Sequence, residues 1–348
     1  GWKHSALINA QAEMGEIGRV KLANSDMYSS TYSEFVEKFS EITPDFKHYF
    51  FIEGGALGVE NALKAAFDWK AKKLKYTHTV DINNLDIFHL KNAFHGRTGY
   101  TLSLTNTTPE KTALFPKFSW TTVEPDWENI ESRMHEEVAA IIIEPIQGEG
   151  GDNHFPLEFF KNLRRIADER DCLLIFDEVQ TVMGLTGKMW AYEHFDVVPD
   201  MMCFGKKTQV CGFCSTERID EVSDNVFNTS GRINSTWGGN IVDMVRFKYI
   251  VDAIQRSDLV ENARASGRQL LWELRTLPVI ENVRGRGLMI AFDLPSSELR
   301  NRMMKLLQKN MLVLQCGNRS IRLRPALTFS KEDVDTACKY IKEAIQKL

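Results

Sequence analysis

The sequence predicts an α/β protein in which a mostly parallel sheet is flanked by helices and is followed by a smaller α+β region. The first observation is that short apolar runs alternate with helical patterns from about residue 48 to residue 215, which is typical of βαβ units. The second is a change of pattern after Asn240, where two helical segments precede short strands and a last helix. The third is that several predicted strands end in loops rich in glycine and charged residues, as expected where ligands bind at the carboxyl edge of such a sheet.

The predicted elements follow one another along the chain without a long linker. The predicted strands of the first region are Tyr49–Ile52, Ile87–Leu90, Ala139–Ile143, Cys172–Phe176 and Pro199–Phe204, and its helices include Leu57–Lys70 and Pro156–Arg170. In the second region the predicted helices are Ile241–Arg256, Leu259–Leu277 and Lys331–Lys347, and the strands lie around Arg286–Leu294, Leu312–Gln315 and Ile321–Leu323. We therefore expect a large domain at residues 31–240, a small domain at 241–348, and residues 1–30 as the remnant of a longer N-terminal segment.

Composition argues against several classes of function. Of the 348 residues, 43% are hydrophobic and 26% charged, and a net charge of −4 gives no reason to expect nucleic acid or an anionic membrane as partner. No apolar stretch approaches the ~18 residues of a transmembrane helix. The six cysteines show no disulfide framework, so the expected location is cytoplasmic. Cys211 and Cys214 form a CxxC motif, but it has no second CxxC and no nearby histidine pair, so we expect two buried strand cysteines and no metal site.

A carboxylate and a lysine follow two successive predicted strands. The run Cys172–Phe176 ends at Asp177, and the next strand ends at Gly205, which is followed by Lys206 and Lys207. A lysine near a buried carboxylate is the pair that enzymes using pyridoxal 5'-phosphate (PLP) need. The lysine forms a Schiff base with the aldehyde, and the carboxylate keeps the pyridine nitrogen protonated. Taken alone, the pair is equally well explained as a structural ion pair near the sheet edge.

Other loops at predicted strand ends carry groups that suit a ligand site. Glu53–Ala56 has two glycines ahead of a helix, which can cradle a phosphate or simply form a tight turn. Ala93–Arg97 offers an aromatic ring and an arginine, suited to ring stacking and carboxylate binding, although ordinary core packing also explains the ring. Ile143–Gly151 carries Glu144 and Glu149, a pair of carboxylates that also suggests glycoside hydrolysis.

Together these segments resemble the class III (ω-amino acid) aminotransferases of PLP fold type I, from about Asn24 to the C-terminus. Leu174–Lys206 fits the family signature of apolar residues, Asp-Glu, a glycine-containing loop and then Gly-Lys. The match is specific because it fixes several residue types along the whole stretch. Ser25–Tyr28, Ala93–Arg97 and the loop Asn234–Gly239 also match. The resemblance implies an aspartate aminotransferase-like fold and PLP as the cofactor.

The resemblance assigns roles around the cofactor ring. Lys206 is implied as the Schiff-base lysine and Asp177 as the partner of the pyridinium nitrogen. Gln180 is implied to contact the phenolic oxygen of the ring and Phe94 to stack on its face. Glu144 is implied to orient Asp177 or the cofactor.

The resemblance also implies a homodimer with shared active sites. The phosphate is expected to bind to backbone groups of Gly55 and Ala56, joined by Thr236 of the partner subunit. Arg322 is implied to bind the α-carboxylate of 2-oxoglutarate and Arg97 its distal carboxylate. Glu149 is implied as a movable gate that masks Arg322 while an ω-amine donor is bound.

Within the family, the matching loops are most similar to those of members that act on the ε-amine of lysine. The implied reaction is a ping-pong transamination in which L-lysine and 2-oxoglutarate give 2-aminoadipate 6-semialdehyde, which cyclises to a piperideine carboxylate, and L-glutamate. Ornithine, 4-aminobutyrate or another ω-amine remains an alternative donor, and a PLP-dependent aminomutase is a further alternative. Compared with the family, the joins near Val20–Asn24 and after Lys75 are short, so we also expect missing stretches there.

Overall fold

The computed structural model describes residues 4–75 and 81–348. Its helices are α1 (Ser5–Asn9), α2 (Gln11–Ile17), α3 (Ser30–Glu41), α4 (Gly55–Lys75), α5 (Gly99–Leu104), α6 (Trp127–Arg133), α7 (Leu157–Glu169), α8 (Ile241–Arg256), α9 (Leu259–Arg275), α10 (Ser297–Leu307) and α11 (Lys331–Ile345). Its strands are β1 (His48–Ile52), β2 (Asp86–Leu90), β3 (Thr122–Val123), β4 (Val138–Ile143), β5 (Ile146–Gln147), β6 (Asn153–His154), β7 (Leu173–Asp177), β8 (Met201–Phe204), β9 (Cys211–Ser215), β10 (Glu281–Arg286), β11 (Met289–Asp293), β12 (Leu314–Cys316) and β13 (Ser320–Leu323).

A seven-stranded sheet in the order β1-β9-β8-β7-β4-β2-β3 forms the centre of the larger part of the molecule. The strands from β8 to β3 are parallel to their neighbours, whereas β9 runs antiparallel to both β8 and β1. Two reversals restore the direction, so β1 points the same way as β8. Strands β4 and β7 are buried along their whole length, as is typical of strands covered by helices on both faces.

The common direction of these strands brings six strand ends to one edge of the sheet. The carboxyl ends of β1, β2, β3, β4, β7 and β8 all lie there, which is the usual ligand edge of an open α/β sheet. The register aligns Asp177, the last residue of β7, with Cys203 of β8. Lys206 follows just beyond that pair, so the strand pairing itself sets the lysine beside the carboxylate.

Helices cover both faces of the sheet. Helix α4 lies close to one face because Gly58 has no side chain, and a Cβ there would come 2.7 Å from the carbonyl oxygen of Gly212 in β9. Helices α3, α7 and α8 cover the other face. There, the Phe247 ring of α8 packs 5.1 Å from Phe35 and 5.3 Å from Phe39 of α3, measured between ring centroids. Helix α8 therefore packs with the core of the large sheet.

The remaining elements form a second, smaller layer structure. The antiparallel sheet has the order β10-β11-β13-β12, and helices α9, α10 and α11 share its apolar core. Arg322 lies in β13, opposite Ala291 of β11 and Leu314 of β12. The limits of the two domains stay a prediction. Since α8 follows residue 240 and packs on the large sheet, the change of packing partner along the chain comes at the α8–α9 junction.

The predicted fold class is confirmed. The strand predicted around Arg286–Leu294 corresponds to β11, and the chain reverses at Gly287 (φ 54°) between it and β10, a strand that was not predicted. Cys211 and Cys214 both lie in β9 as free thiols, with Cys214 fully buried. The short join expected after Lys75, and the first three residues of the expected N-terminal remnant, lie outside the described residues. Within residues 4–75 and 81–348, no helix has the length and apolarity to cross a bilayer.

Candidate active site

A cavity of about 390 Å³ opens at the carboxyl edge of the large sheet. Lys206 and Asp177 line it from the ends of β8 and β7, Glu144 from the end of β4, Phe94 from the loop after β2, and Gly55 from the start of α4 after β1. Five loops that are distant in sequence thus contribute to one site.

Lys206 borders the cavity from a tight turn after β8. Its backbone lies in the left-handed region (φ 53°), and the turn is closed by a 3.0 Å hydrogen bond from the Gln209 N–H to the Lys206 carbonyl. The Lys206 ammonium lies 3.4 Å from Oε1 of Gln180, which also lines the cavity. Burial lowers the pKa of Lys206, and the neighbouring carboxyl groups, Asp177 above all, oppose that shift. A lowered pKa favours the free amine, which a nucleophile or base requires.

Asp177 is held in place by two hydrogen bonds. Its Oδ2 lies 2.8 Å from Nδ1 of His95, and its Oδ1 accepts the backbone N–H of Val179 at 3.1 Å. Both side chains of the Asp177–His95 pair are almost completely buried. A carboxylate fixed in this way presents its oxygens to the cavity in a set orientation. The His95 Nε2 atom is buried without a hydrogen-bond partner among the described residues.

Glu144 is a second buried carboxyl beside Asp177. Its Oε2 accepts the backbone N–H of Phe94 at 3.3 Å. Burial and the neighbouring Asp177 charge raise the pKa of Glu144 well above its usual range. The Glu144 carboxyl therefore keeps its proton near neutral pH, which limits the negative charge in this buried corner.

The start of α4 forms a cradle that suits an anion. The 21-residue helix begins at Gly55, and Gly55 and Ala56 line the cavity with the first turn of the helix. The free N–H groups and the dipole at such an end attract a phosphate. Gly96 (φ 124°) closes the cradle from the other side, since a Cβ there would lie only 2.5 Å from the Ala56 Cβ.

Glu149 stands between two cations at the rim. Its Oε1 accepts a hydrogen bond from the Lys111 Nζ at 2.6 Å, and its Oε2 lies 3.7 Å from Nη2 of Arg322 in the small sheet. Burial raises the pKa of Glu149, but the hydrogen bond from Lys111 and the charge of Arg322 outweigh it, so the pKa lies below its usual range. Glu149 is therefore ionised at neutral pH.

The backbone around Glu149 is fastened to the small sheet. The Gly317 N–H donates to the Glu149 carbonyl at 3.1 Å, and Arg284 Nε donates to the Asp152 carbonyl at 3.0 Å. The Arg324 guanidinium binds the Asp152 carboxylate, which is fully buried. We call these contacts the loop clamp.

The other two predicted site residues differ in position. Arg97 lines the cavity as an exposed residue. Thr236 is exposed and is not among the residues that line the cavity of its own chain. Its loop packs instead on the N-terminal region, where the Ser25 hydroxyl donates to the Thr236 carbonyl at 3.1 Å and the Asn24 amide donates to the Gly239 carbonyl at 3.0 Å.

Lys207 has a different environment from Lys206. Its Nζ donates to the backbone carbonyl of Gln180 at 2.9 Å, and it is absent from the lining of the cavity. Burial, with the charges of Arg324 and Lys206, lowers the pKa of Lys207 to about 7. A lowered pKa alone would suggest Lys207 as the reactive lysine. The position of Lys206 in the lining of the cavity distinguishes the two.

A family model described as Aminotransferase class-III matches residues 1–345. The chain therefore belongs to the class III aminotransferases, which are PLP-dependent enzymes that move an amino group between an amino acid and a keto acid. The L-lysine-epsilon aminotransferase of Mycobacterium tuberculosis is 45% identical over 365 residues, covering 96% of this chain and 81% of that protein.

Two further comparisons show how the similarity is distributed. The solved structure of a lysine aminotransferase from M. tuberculosis in the internal aldimine form has a TM-score of 0.95 and 44% identity, covering all of this chain and 87% of that one. The mitochondrial 4-aminobutyrate aminotransferase of Homo sapiens is 34% identical over 323 residues, covering 79% of this chain and 63% of that protein. The relatives with the lysine activity are thus the more similar.

The cavity fits the cofactor of the family. It offers a lysine amine, an oriented carboxylate, a helix N-terminus for the phosphate, and the Phe94 side chain as a wall for a planar ring. In the structure as described, all of these groups already line the same cavity.

One residue of the site gives no signal in the sequence. Lys111 lies in a surface-like Thr-Pro-Glu-Lys-Thr segment, and only the fold brings it to Glu149. His95 belongs to a recognised motif, but the sequence indicates only a satisfied polar contact and not which group it holds. Its partner Asp177 lies 82 residues away.

The buried ammonium of Lys207 predicts a pH-dependent stability. Its pKa is about 7 in the folded chain and about 10.4 in an unfolded one. Between these values the unfolded state binds more protons than the folded state, so the free energy of unfolding increases as the pH rises. Below pH 7 the buried ammonium destabilises the folded state to its full extent. We expect Lys207→Met to stabilise the protein most at low pH. The free energy of unfolding of Lys207→Met minus that of the parent, measured by urea titration, should decrease as the pH rises from about 6 to about 10. The exposed Lys309, changed to Met, is the control; an equal trend there would contradict the assignment.

Proposed function

We propose that the protein transfers the ε-amino group of L-lysine to 2-oxoglutarate, giving 2-aminoadipate 6-semialdehyde and L-glutamate. The semialdehyde then cyclises to a piperideine carboxylate. The observation that carries this proposal is the cavity lined by Lys206, Asp177 and Glu149, with Arg322 lying 3.7 Å from the Glu149 carboxylate. The greater similarity to L-lysine-epsilon aminotransferases than to a 4-aminobutyrate aminotransferase supports lysine as the donor.

Lys206 and Asp177 are proposed as the catalytic residues. Bound PLP supplies an aldehyde that takes up the donor amine and a ring that withdraws electrons from the reacting carbon. Lys206 holds the cofactor and, once free, its Nζ moves the proton at the substrate carbon as general base. Asp177 holds a proton on the ring nitrogen, and the hydrogen bond from His95 keeps that carboxylate in position.

The remaining cofactor contacts are proposed from the family resemblance. Phe94 stacks on the ring, Gln180 binds its phenolic oxygen, and Glu144 fixes the loop of Phe94 through the 3.3 Å hydrogen bond. Gly55 and Ala56 bind the phosphate through their backbone. These assignments extend the family resemblance to the residues that line the cavity.

Arg322 and Arg97 are proposed to bind the two carboxylates of 2-oxoglutarate, with the α-carboxylate on Arg322. L-Lysine enters with its ε-amine toward Lys206, so that end carries no carboxylate. Glu149 then neutralises Arg322, and 2-oxoglutarate displaces it in the second half of the ping-pong reaction. One cavity thereby accepts two molecules of different shape without rebuilding its walls.

The choice of donor is the first test. One methylene in a pocket is worth only about 1–3 kcal/mol, so ornithine and 4-aminobutyrate are close competitors. With 2-oxoglutarate present, we expect kcat/KM for L-lysine to exceed that for ornithine or 4-aminobutyrate at least about tenfold. Mass spectrometry should find the piperideine carboxylate. Lys206→Ala should abolish turnover and Lys207→Ala should not. Turnover of lysine without 2-oxoglutarate would indicate an aminomutase and contradict the proposal.

The position of Thr236 supports a homodimer with shared sites. Because Thr236 is exposed and outside its own cavity, we propose that Thr236 of the partner subunit reaches the phosphate. Thr236→Ala should therefore lower PLP affinity. Mixing it with Lys206→Ala should restore activity, since each heterodimer has one site with both residues intact. Unchanged PLP affinity in Thr236→Ala, or no recovery despite demonstrated subunit exchange, would contradict sharing.

The gate role of Glu149 predicts a change in preference. Without the charge of Glu149, Arg322 is free to attract the α-carboxylate of glutamate in both half-reactions. In Glu149→Gln we expect the ratio of the single-turnover rates with lysine and glutamate to fall about tenfold, the factor for roughly 1.4 kcal/mol. Cofactor absorbance in stopped-flow mixing follows each half-reaction separately. Glu137→Gln, a carboxylate away from the cavity, is the control. An unchanged ratio in Glu149→Gln would show that Glu149 is not the gate.

A further inference from the structure

Lys111 is placed where it can control the gate. It ends the short 3-10 turn Pro109–Lys111, and its ammonium lies 2.6 Å from Glu149 Oε1 and 3.3 Å from the Thr107 hydroxyl. The same ammonium lies 5.3 Å from the centre of the Phe94 ring, within the range of a cation–π contact. The side chain is only a quarter exposed. Three contacts thus fix the ammonium beside Glu149.

Glu149 is bound more closely to Lys111 than to Arg322. The Lys111 contact is a hydrogen bond at 2.6 Å, whereas the nearest Arg322 nitrogen lies at 3.7 Å, beyond hydrogen-bond distance. After the opposing effect of burial, the Lys111 hydrogen bond is also the largest contribution that lowers the pKa of Glu149. The structure therefore has the gate carboxylate drawn toward Lys111.

Arg322 is correspondingly short of partners. Its side chain is 11% exposed, and its Nε and Nη1 atoms are buried with no hydrogen-bond partner among the described residues. Buried guanidinium N–H groups are costly to leave unpaired, and a carboxylate can accept two of them at once. The arginine is thus ready for a carboxylate that Glu149 does not fully provide.

We infer that Lys111 is a specificity-determining residue that holds Glu149 in the open position, so that a dicarboxylic acceptor can reach Arg322. The inference rests on the proposed function, in which Glu149 masks Arg322. Without Lys111, opening the gate would leave the Glu149 carboxylate half-buried and unpaired, which is unfavourable. With Lys111 present, the Glu149 carboxylate leaves Arg322 and pairs with Lys111, and the carboxylate of the acceptor then pairs with Arg322.

The test compares variants that separate charge from packing. Lys111→Met keeps an apolar stem over Phe94 and loses the charge, whereas Lys111→Arg keeps the charge. Lys117→Met changes an exposed lysine in the same segment and is the control. The probe of the acceptor site is glutarate, a dicarboxylate that cannot react, titrated calorimetrically into the holoenzyme.

Loss of the Lys111 charge should close the gate. In Lys111→Met we expect both the Kd for glutarate and the KM for the acceptor 2-oxoglutarate to rise about fivefold, while the single-turnover rate with L-lysine changes less than about twofold. Lys111→Arg should restore parental values, and Lys117→Met should match the parent. A crystal structure of Lys111→Met should show Glu149 and Arg322 in direct hydrogen bonding.

Combination with Glu149→Gln separates the gate from direct binding. In that background Lys111→Met should have no further effect on glutarate. An equal fivefold rise of the glutarate Kd in the Glu149→Gln background would mean that Lys111 binds the acceptor itself. An unchanged Kd in Lys111→Met alone would mean that Lys111 neither holds the gate nor binds the acceptor. Both results overturn the inference. If 2-oxoglutarate is not used by the parent enzyme at all, the proposed function fails, whereas glutarate binding still reports on Lys111.

Discussion

The parallel backbone pairing of β7 with β8 is the constraint on which the site depends. It sets Asp177 opposite Cys203, and therefore sets Lys206 beside Asp177 whatever side chains surround them. The ladder continues through β4 and β2, which adds Glu144 and Phe94 to the same edge. Because Gly58 lets helix α4 approach β9 closely, the start of the helix is held at this edge of the sheet. Backbone geometry thus positions the reactive groups, and side chains tune them.

The charges of the site are balanced within a small space. Asp177 is hydrogen-bonded to His95, while burial raises the pKa of Glu144 so that it keeps its proton in the same corner. Lys206 lines the same cavity as these carboxyls. At the rim, Glu149 contacts the cations of Lys111 and Arg322, and two N–H groups of Arg322 are buried without a hydrogen-bond partner among the described residues. This arrangement agrees with the proposed roles of the interior in proton transfer and of the rim in the recognition of anions.

Signals that are local in sequence were predictable, and contacts between distant segments were not. Asp177 and Lys206 each end a short apolar run, so the polar residue after a buried strand identified them. Arg322 was placed only by the family resemblance, and the sequence could not show its position relative to Glu149 in another loop. Lys111 lies 38 residues from Glu149 in a segment without periodicity, so nothing nearby marked it. Strand β10 was missed because Glu281–Arg286 has no apolar run, whereas its partner β11 does.

The loop clamp has a consequence for how fast the gate can respond. Gly317, Arg284 and Arg324 of the small sheet fix the backbone of the Glu149 loop, so the carboxylate can change partners only by rotating about its own side-chain bonds. Such rotations take on the order of nanoseconds where a side chain is partly exposed, whereas typical turnover takes milliseconds or longer. In the proposed function, the positions of Glu149 would therefore equilibrate many times within each catalytic cycle. Selection between donor and acceptor would then depend on the relative free energies of those positions and would need no slow loop closure.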